Sequence, residues 1–206
     1  MTRQNPRQRL LLSAIALMCE RGVHATGLTD LLTHSRTARG SIYQHFPAGK
    51  SELFEAATYA AGRTISGLLD ELLATRTPAH AIDGIVDHWK QVLTGSDYAM
   101  GCPILAAAQA GSPEPRVQAA AAAVFSTWTD QIATALRRAG AEPATAEVVA
   151  GATVSAIEGA IAHSRGARTV APLEDARTAV RLLIDSAISG VEVGDHARER
   201  GACASR

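Results

Sequence analysis

The segment from Thr26 to Lys50, TGLTDLLTHSRTARGSIYQHFPAGK, restricts the fold of this chain more than any other part of it. Its apolar spacing predicts two short helices, over about residues 27–35 and 38–45, joined by a tight connection and followed by a Pro-Ala-Gly break at 47–49. Two short helices joined by a turn form a helix-turn-helix, and the second helix of such a pair fits the major groove of DNA. The segment therefore predicts a DNA-binding unit.

A further helix is predicted immediately before this segment, from about Arg7 to Arg21, and Gly22 is suited to end it. Residues 1–8 are polar, and we expect them to form a loose arm. Thr26 and Thr37 are predicted to cap the second and third helices, because a hydroxyl can accept a hydrogen bond from the free N–H groups of a first turn. The result is a unit of three helices.

The remainder of the chain is also predicted to be helical. The expected helices run over about 50–75, 79–93, a short stretch from Gly101-Cys102-Pro103, 113–140, 143–164 and 173–190, which makes about nine in all. No stretch alternates apolar and polar residues with a period of two, so a sheet is not expected. The predicted fold class is all-α.

Several classes of protein are excluded by absent features. The sequence shows no signal peptide and no apolar run that reaches the length of a membrane span, so we expect a soluble, cytoplasmic protein. Three isolated cysteines (Cys19, Cys102 and Cys203) argue against a disulfide framework and a metal knuckle. No catalytic motif of the HExxH or GxSxG type occurs, and neither enzymatic activity nor a cofactor or metal is expected.

Charge is distributed unevenly although the chain is neutral overall. Residues 1–50 carry seven basic and two acidic side chains, a net charge of +5, so the remainder carries −5. A basic N-terminal unit attached to an acidic body is typical of a protein whose head alone binds a polyanion.

The region from Arg9 to about Phe54 resembles the N-terminal DNA-binding domain of the TetR family of bacterial repressors. The shared features are Gly22, Thr26, the run GSIYQHF at 40–46, and Lys50. The resemblance implies that the third helix lies in the DNA groove. The candidate DNA-binding residues are Thr26, Arg36, Thr37, Arg39, Gly40, Ser41, Tyr43, His45 and Lys50.

The turn of the helix-turn-helix departs from the family pattern. Members usually carry Ala-Gly-Val where this chain has Ser35, Arg36 and Thr37. The family glycine supplies a positive φ, and an arginine there costs about 1 kcal/mol or more if that geometry is kept. Either the turn is remodelled, or Arg36 reaches the DNA.

In the body, residues 100–111 (MGCPILAAAQAG) resemble a subgroup of the family, the LmrA/YxaF-like regulators. This resemblance implies a multidrug- or flavonoid-type small-molecule effector. Large side chains are few in an alanine-rich background and can either line a cavity or fill the core. The candidate ligand-binding residues are Trp89, Cys102, Gln109, Phe125 and Trp128. As an alternative, Cys102 at a helix N-terminus, where the pKa of a thiol is lowered, would act as a redox sensor.

The last two helices are rich in small residues, which permit close approach of another helix. In the TetR family the equivalent pair forms a four-helix dimer interface, whereas the alternative is packing within one subunit only. The candidate interface residues are Ala152, Ala156, Gly159, His163, Ile184 and Ile188. The resemblance implies a homodimeric repressor that binds a palindromic operator and is released by a small apolar, aromatic effector. We expect a DNA-binding domain over 1–50, an effector-binding and dimerisation domain over 51–191, and a disordered tail over 192–206.

Overall fold

The computed structural model describes residues 5–190, and this range forms nine α-helices and no strand. They are α1 (Pro6–Arg21), α2 (Leu28–Ser35), α3 (Arg39–His45), α4 (Lys50–Thr75), α5 (Pro78–Gly95), α6 (Pro103–Ala108), α7 (Pro115–Arg138), α8 (Pro143–Ala167) and α9 (Ala171–Ser189). The prediction of an all-α fold is confirmed. The tail predicted over 192–206 lies outside the described residues.

Helix α1 begins at Pro6, so residues 6–8 belong to it and not to the loose arm that was predicted over residues 1–8. The side chain of Asn5 accepts a hydrogen bond from the N–H of Gln8 at 2.8 Å, and Pro6 occupies the first turn. A proline is tolerated there because its missing N–H would have no partner within the helix. At the other end, Gly22 adopts a φ of 82° and its N–H donates to the carbonyl of Met18 at 3.0 Å, which ends α1 as predicted.

Helices α1 to α3 form a head, and α4 to α9 form the body. Helix α4 packs against α1, α5 and α7. Helix α8 lies between α7 and α9, while α6 contacts α1, α4 and α7. The position of α6 is important because it borders both the head and the interior of the body.

Ion pairs and apolar packing hold α9 against α5. The pairs are Lys90–Glu174, Asp87–Arg177 and Asp83–Arg181. These pairs are partly exposed, and ion pairs that remain in contact with solvent contribute about 0–1 kcal/mol each. Leu173 and Val180 of α9 are buried, and their apolar area adds to the packing of α9 on α5 and α8.

One helix of the described range, α8, is long and apolar enough to cross a membrane by length and composition. The sequence reasoning did not anticipate this. However, 44% of the residues in its most apolar window are buried inside the protein. Core helices of soluble proteins pass the same test, so α8 provides only weak support for a membrane location.

Candidate DNA interface and body cavity

Helix α3 is anchored by its apolar side and presents its polar side outward. Ile42 is fully buried, and Phe46, which follows the helix, is 1% exposed. Arg39, Gly40 and Tyr43 are exposed on the opposite side. A Cβ added at Gly40 would meet no atom within 4 Å, so this face has room for another molecule to approach the backbone. Ser41 and His45 are partly exposed. The side chains that were predicted to donate hydrogen bonds to DNA are therefore all accessible to some degree.

The turn before α3 keeps the left-handed geometry although it contains no glycine. Arg36 has φ 52° and ψ 45°. Its N–H donates to the carbonyl of Thr33 at 3.3 Å, and the N–H of Thr37 donates to that of Leu32 at 3.2 Å. These bonds satisfy carbonyls that the end of α2 leaves free. The turn is thus not remodelled, and the exposed Arg36 side chain extends from a strained backbone position.

Both predicted threonine caps were wrong, because α2 and α3 each begin one residue later than expected. Thr26 is fully buried, and its hydroxyl donates back to the carbonyl of Gly22 at 2.7 Å. The N-cap of α2 is Gly27, whose N–H donates to the carboxylate of Asp30 at 2.9 Å. The Thr26 side chain therefore has no surface from which to contact DNA.

Thr37 also has a local role. Its hydroxyl lies 2.7 Å from that of Ser35, and the N-cap of α3 is Ala38. This pair of hydroxyls links the end of α2 to the connection that leads into α3. Thr37 remains partly exposed beside Arg36.

Lys50 lies at the first position of α4, where the free N–H groups and the helix dipole favour an anion. Its ammonium is 5.4 Å from the ring centroid of Phe54 and remains partly exposed. The preceding Gly49 has a φ of 75°, and a Cβ there would lie 3.5 Å from the Tyr43 ring. The end of α3 and the start of α4 are therefore in contact.

The end of α1 is joined to the body by Arg165 of α8. The guanidinium donates to the carbonyl of Glu20 and, at 2.7 Å, to that of Ala99. The N–H of Gly101 donates to the carbonyl of Cys19 at 2.8 Å. The sequence reasoning did not identify these links, since a solvated arginine and one that bridges two segments have the same local pattern.

One other contact connects the head to the body, and a second lies within the body, between the starts of α4 and α7. His24 Nε2 lies 2.6 Å from the carbonyl oxygen of Ala110, just beyond α6. On the other side, the guanidinium of Arg116 pairs with the carboxylate of Glu55 at 2.8 Å. The start of α4 and the end of α1 are therefore both tied to the segments that flank α6.

Helices α6, α7 and α8 border a cleft of about 550 Å³. Its wall is formed by Leu105, Gln109, Phe125, Thr129, Gly151, Val154, Ser155, Glu158, Gly159 and Ala162. Two of the predicted ligand-binding residues, Gln109 and Phe125, line this cleft. The volume is within the range of small-molecule sites in proteins.

Trp89 and Trp128 do not line an effector-sized cavity, so this part of the predicted ligand site was wrong. They are 4% and 5% exposed, and the void that they border measures only about 30 Å³. The indole N–H of Trp128 is directed at the Ser66 hydroxyl, 3.1 Å away, and at the carbonyl of Gly62, 3.4 Å away. The two rings fill the core because their large apolar area is buried where α4, α5 and α7 meet.

Glu158 of α8 borders both the cleft and the small void. Its side chain is buried, and burial raises the pKa of its carboxyl group to about 7. The thiol of Cys102 is its hydrogen-bonding neighbour. Sequence reasoning missed this residue, although a signal was present: Glu158 is the only charged residue between positions 148 and 164.

The thiol chemistry predicted for Cys102 was wrong. Cys102 is 4% exposed, and burial raises the pKa of its thiol well above the usual value, as does the nearby charge of Glu158. Burial also raises the pKa of the Cys19 thiol to about 11. Reaction with an oxidant requires an accessible thiolate, which both environments disfavour. Cys203 lies outside the described residues.

The predicted interface residues on α8 and α9 fall into two groups. Ala152, Ala156 and Ile188 are partly exposed and Gly159 and His163 are exposed, whereas Ile184 is fully buried within the subunit. The choice of Ile184 was therefore wrong, because its side chain already packs in the core. Large apolar side chains that remain exposed on these helices are Val148 at 72%, Leu182 at 68% and Leu183 at 41%.

Arg36 is a site where a substitution should stabilise the fold. We predict that Arg36→Gly raises the free energy of unfolding by about 1 kcal/mol, because glycine adopts the left-handed conformation without a Cβ clash. Chemical denaturation would measure the change. Arg39→Gly is the matched control and should bring no gain, since Arg39 has helical geometry. An unchanged or lower stability of Arg36→Gly would contradict the assigned strain.

Glu158 should make stability depend on pH. Its pKa rises from 4.5 to about 7 on folding, so between these values the folded state holds a proton that the unfolded state has released. The free energy of unfolding should therefore fall as the pH rises through this window, by on the order of 3 kcal/mol.

Glu158→Gln should remove this fall, and urea titrations at several pH values would measure it. Glu147→Gln, which changes an exposed carboxylate on the same helix, is the control and should retain the wild-type profile. If the difference between wild type and Glu158→Gln stays constant over the window, the raised pKa is refuted.

Comparison with known proteins identifies the family. Residues 10–57 match the profile of the bacterial regulatory proteins of the tetR family, and residues 78–179 match that of the LmrA/YxaF-like transcriptional regulator C-terminal domain. The HTH-type transcriptional regulator Rv0196 of Mycobacterium tuberculosis is 36% identical over 187 residues, which cover 88% of this chain and 95% of that protein. YxaF of Bacillus subtilis, also an HTH-type transcriptional regulator, is 30% identical over 176 residues, with 84% and 91% covered.

A solved structure shows the same fold. The TetR transcriptional regulator from Legionella pneumophila superposes with a TM-score of 0.80 at 22% identity, covering 88% of this chain and 98% of that one. The matched profiles and relatives are transcriptional regulators and not enzymes, as the sequence predicts. The chain belongs to the TetR family of bacterial transcriptional regulators and carries an LmrA/YxaF-like C-terminal domain.

Proposed function

We propose that this DNA-binding regulator is a ligand-responsive repressor. It binds a palindromic operator as a homodimer in the cytoplasm and is released when a small apolar, aromatic molecule binds in the body. The observation that carries the proposal is the outward face of α3, where polar and basic side chains are accessible while Ile42 anchors the helix. Residues 1–50 serve as the DNA-binding domain and 51–191 as the effector-binding and dimerisation domain.

The side chains of this face suit the edges and backbone of a DNA groove. The guanidinium of Arg39 can form paired hydrogen bonds to guanine or to a phosphate, and Ser41, Tyr43 and His45 offer further donors. Arg36 and Lys50 flank the helix and suit phosphates on either side. The net charge of +5 over residues 1–50 supports the same role.

Dimerisation is supported by the apolar surface of α8 and α9. Three of the large apolar side chains exposed in the described range lie on these two helices. Burial of such surface in a two-fold interface would remove it from water, at about 25 cal/mol per Å². A two-fold dimer presents two α3 helices related by symmetry, and this geometry requires an operator with two related half-sites.

Effector control is supported by the position of the cleft. Its wall includes Leu105 and Gln109, in and just after α6. The same region contacts α1, and Ala110 accepts from His24 of the head. A ligand in the cleft that displaces α6 would therefore shift the head relative to the body and change the separation of two α3 helices in a dimer.

Operator binding should be electrostatic and should depend on α3. With an operator selected from random duplexes, we predict that affinity falls steeply with salt because bound phosphates release counterions. Arg39→Ala should weaken binding by about tenfold or more. Fluorescence anisotropy would measure both effects. Arg137→Ala, an exposed arginine at the end of α7, should bind as the wild type does. Wild-type affinity that is flat with salt would refute this DNA interface.

The oligomeric state should depend on the exposed face of α8 and α9. Leu182→Asp or Ala156→Asp should yield monomers at micromolar concentration, because an unpaired carboxylate in an apolar interface costs several kcal/mol. Sedimentation velocity would measure the outcome, and operator affinity should fall with it. Leu12→Asp alters an apolar residue of α1 that is 47% exposed and should leave the dimer intact. Dimeric Leu182→Asp and Ala156→Asp variants would show that these helices do not form the interface.

A further inference from the structure

Glu158 is a carboxyl group whose position the fold does not explain. It is 8% exposed, and its Oε2 atom has no hydrogen-bond partner among the described residues. It sits where the cleft of about 550 Å³ and the small apolar void meet. A buried carboxyl without a full set of partners destabilises a fold, so a ligand that supplies the missing donor would be bound strongly.

The protein itself supplies little compensation. The thiol of Cys102 is only a weak donor. The residues that line the two cavities include no lysine and no arginine. Arg165, two turns further along α8, directs its guanidinium to the carbonyls of Glu20 and Ala99. Within residues 5–190, therefore, no basic side chain at these two cavities can pair with the carboxylate of Glu158.

The rest of the cleft suits an aromatic group. Phe125 lines the wall, and its ring meets that of Trp128 edge to face at a centroid distance of 5.6 Å. Leu105 and Val154 add apolar surface, while the polar members of the wall, such as Gln109, are uncharged apart from Glu158. A flat ring can lie against Phe125 without leaving a charge unpaired.

We propose that the effector is an aromatic organic cation, whose ring lies against Phe125 and whose ammonium group binds the carboxylate of Glu158. This inference rests on the proposed ligand response and names its chemical class. An ammonium provides the donor that Oε2 lacks, and an aromatic face nearby stabilises a cation further. A neutral aromatic molecule would satisfy the apolar wall but leave the carboxylate uncompensated.

Few other groups influence the carboxylate. Cys102 faces it from the segment before α6 and, within residues 5–190, is the one titratable neighbour that affects it. The residues of α4, α5 and α7 that border the void beside it are apolar: Ile65, Leu69, Ile82, Ile85, Trp89, Trp128 and Ile132. Ligand charge is thus the main variable that distinguishes one aromatic ligand from another at this position.

The test compares two ligands of nearly equal shape, 1-naphthylmethylamine and 1-naphthylmethanol, which differ in charge. The full chain is titrated with each at about pH 8, where most of the carboxyl groups are ionised and the amine is protonated. Wild type should bind the amine at least about tenfold more tightly than the alcohol by calorimetry. Glu158→Gln should bind both equally. Glu147→Gln should retain the wild-type preference, because that carboxylate is exposed and lies about three turns away along α8.

A second variant keeps the test valid if Glu158→Gln does not fold. Ser155→Lys places an ammonium one turn away on the exposed rim of the cleft, where it can occupy the carboxylate. It should also abolish the preference for the amine. A preference that persists in both variants, equal binding of the two ligands by wild type, or no binding of either at about 1 mM would overturn the proposal.

Anisotropy with labelled operator separates this inference from the proposed function. If the amine binds through Glu158 without changing operator affinity, the cation site stands and ligand-responsive repression fails. If the alcohol binds as tightly as the amine and releases the operator, ligand-responsive repression stands and the cation site fails. Release by the amine in wild type, lost in Glu158→Gln, supports both.

Discussion

The close crossing of α4 and α7 at Gly62 is the constraint on which the rest of the molecule depends. A Cβ at this position would lie 2.6 Å from a methyl carbon of Val124, so no larger residue fits without a shift. The close approach allows the indole of Trp128, one turn further along α7, to reach the Ser66 hydroxyl on α4. At 1.5 Å per residue α4 spans about 39 Å, so the way it lies on α7 also determines where the head is held.

Several links between head and body converge on α8 and on the segments that flank α6, and both of these helices border the cleft. Arg165 and Gly101 bind carbonyls at the end of α1, and His24 binds the carbonyl of Ala110. In the proposed mechanism, a ligand between these helices favours one arrangement of head and body, and a DNA duplex on α3 favours another. Linkage then requires that each weakens the other by the same factor. Glu158 is suited to this coupling because it lies on α8 itself, two turns from Arg165.

Local signals in the sequence accounted for most of the architecture. The predicted starts of α5 and α8 agree with the structure to within one residue, and Gly22 predicted the end of α1. A proline occupies the first turn of both α5 and α8, and the backbone geometry at such residues depends on neighbours within one turn. The predicted starts of α2 and α3 were each wrong by one residue. Thr26 and Thr37 were predicted as caps, but their hydroxyls bind Gly22 and Ser35 instead.

The sequence by itself determined the helical fold, the helix-turn-helix, the basic head and the family. Only the tertiary structure decided which side of each body helix faces inward. Helix α8 has small residues on every side, so its periodicity does not separate an interior face from an exposed one, and in α9 Ile184 is buried while the adjacent Leu183 is exposed. For Cys102, the position at a helix N-terminus can be predicted from neighbouring residues. The burial and the charge of Glu158 that raise the pKa of its thiol come from residues distant in the chain. Burial is a sum over long-range contacts, and those contacts exist only once the helices have packed.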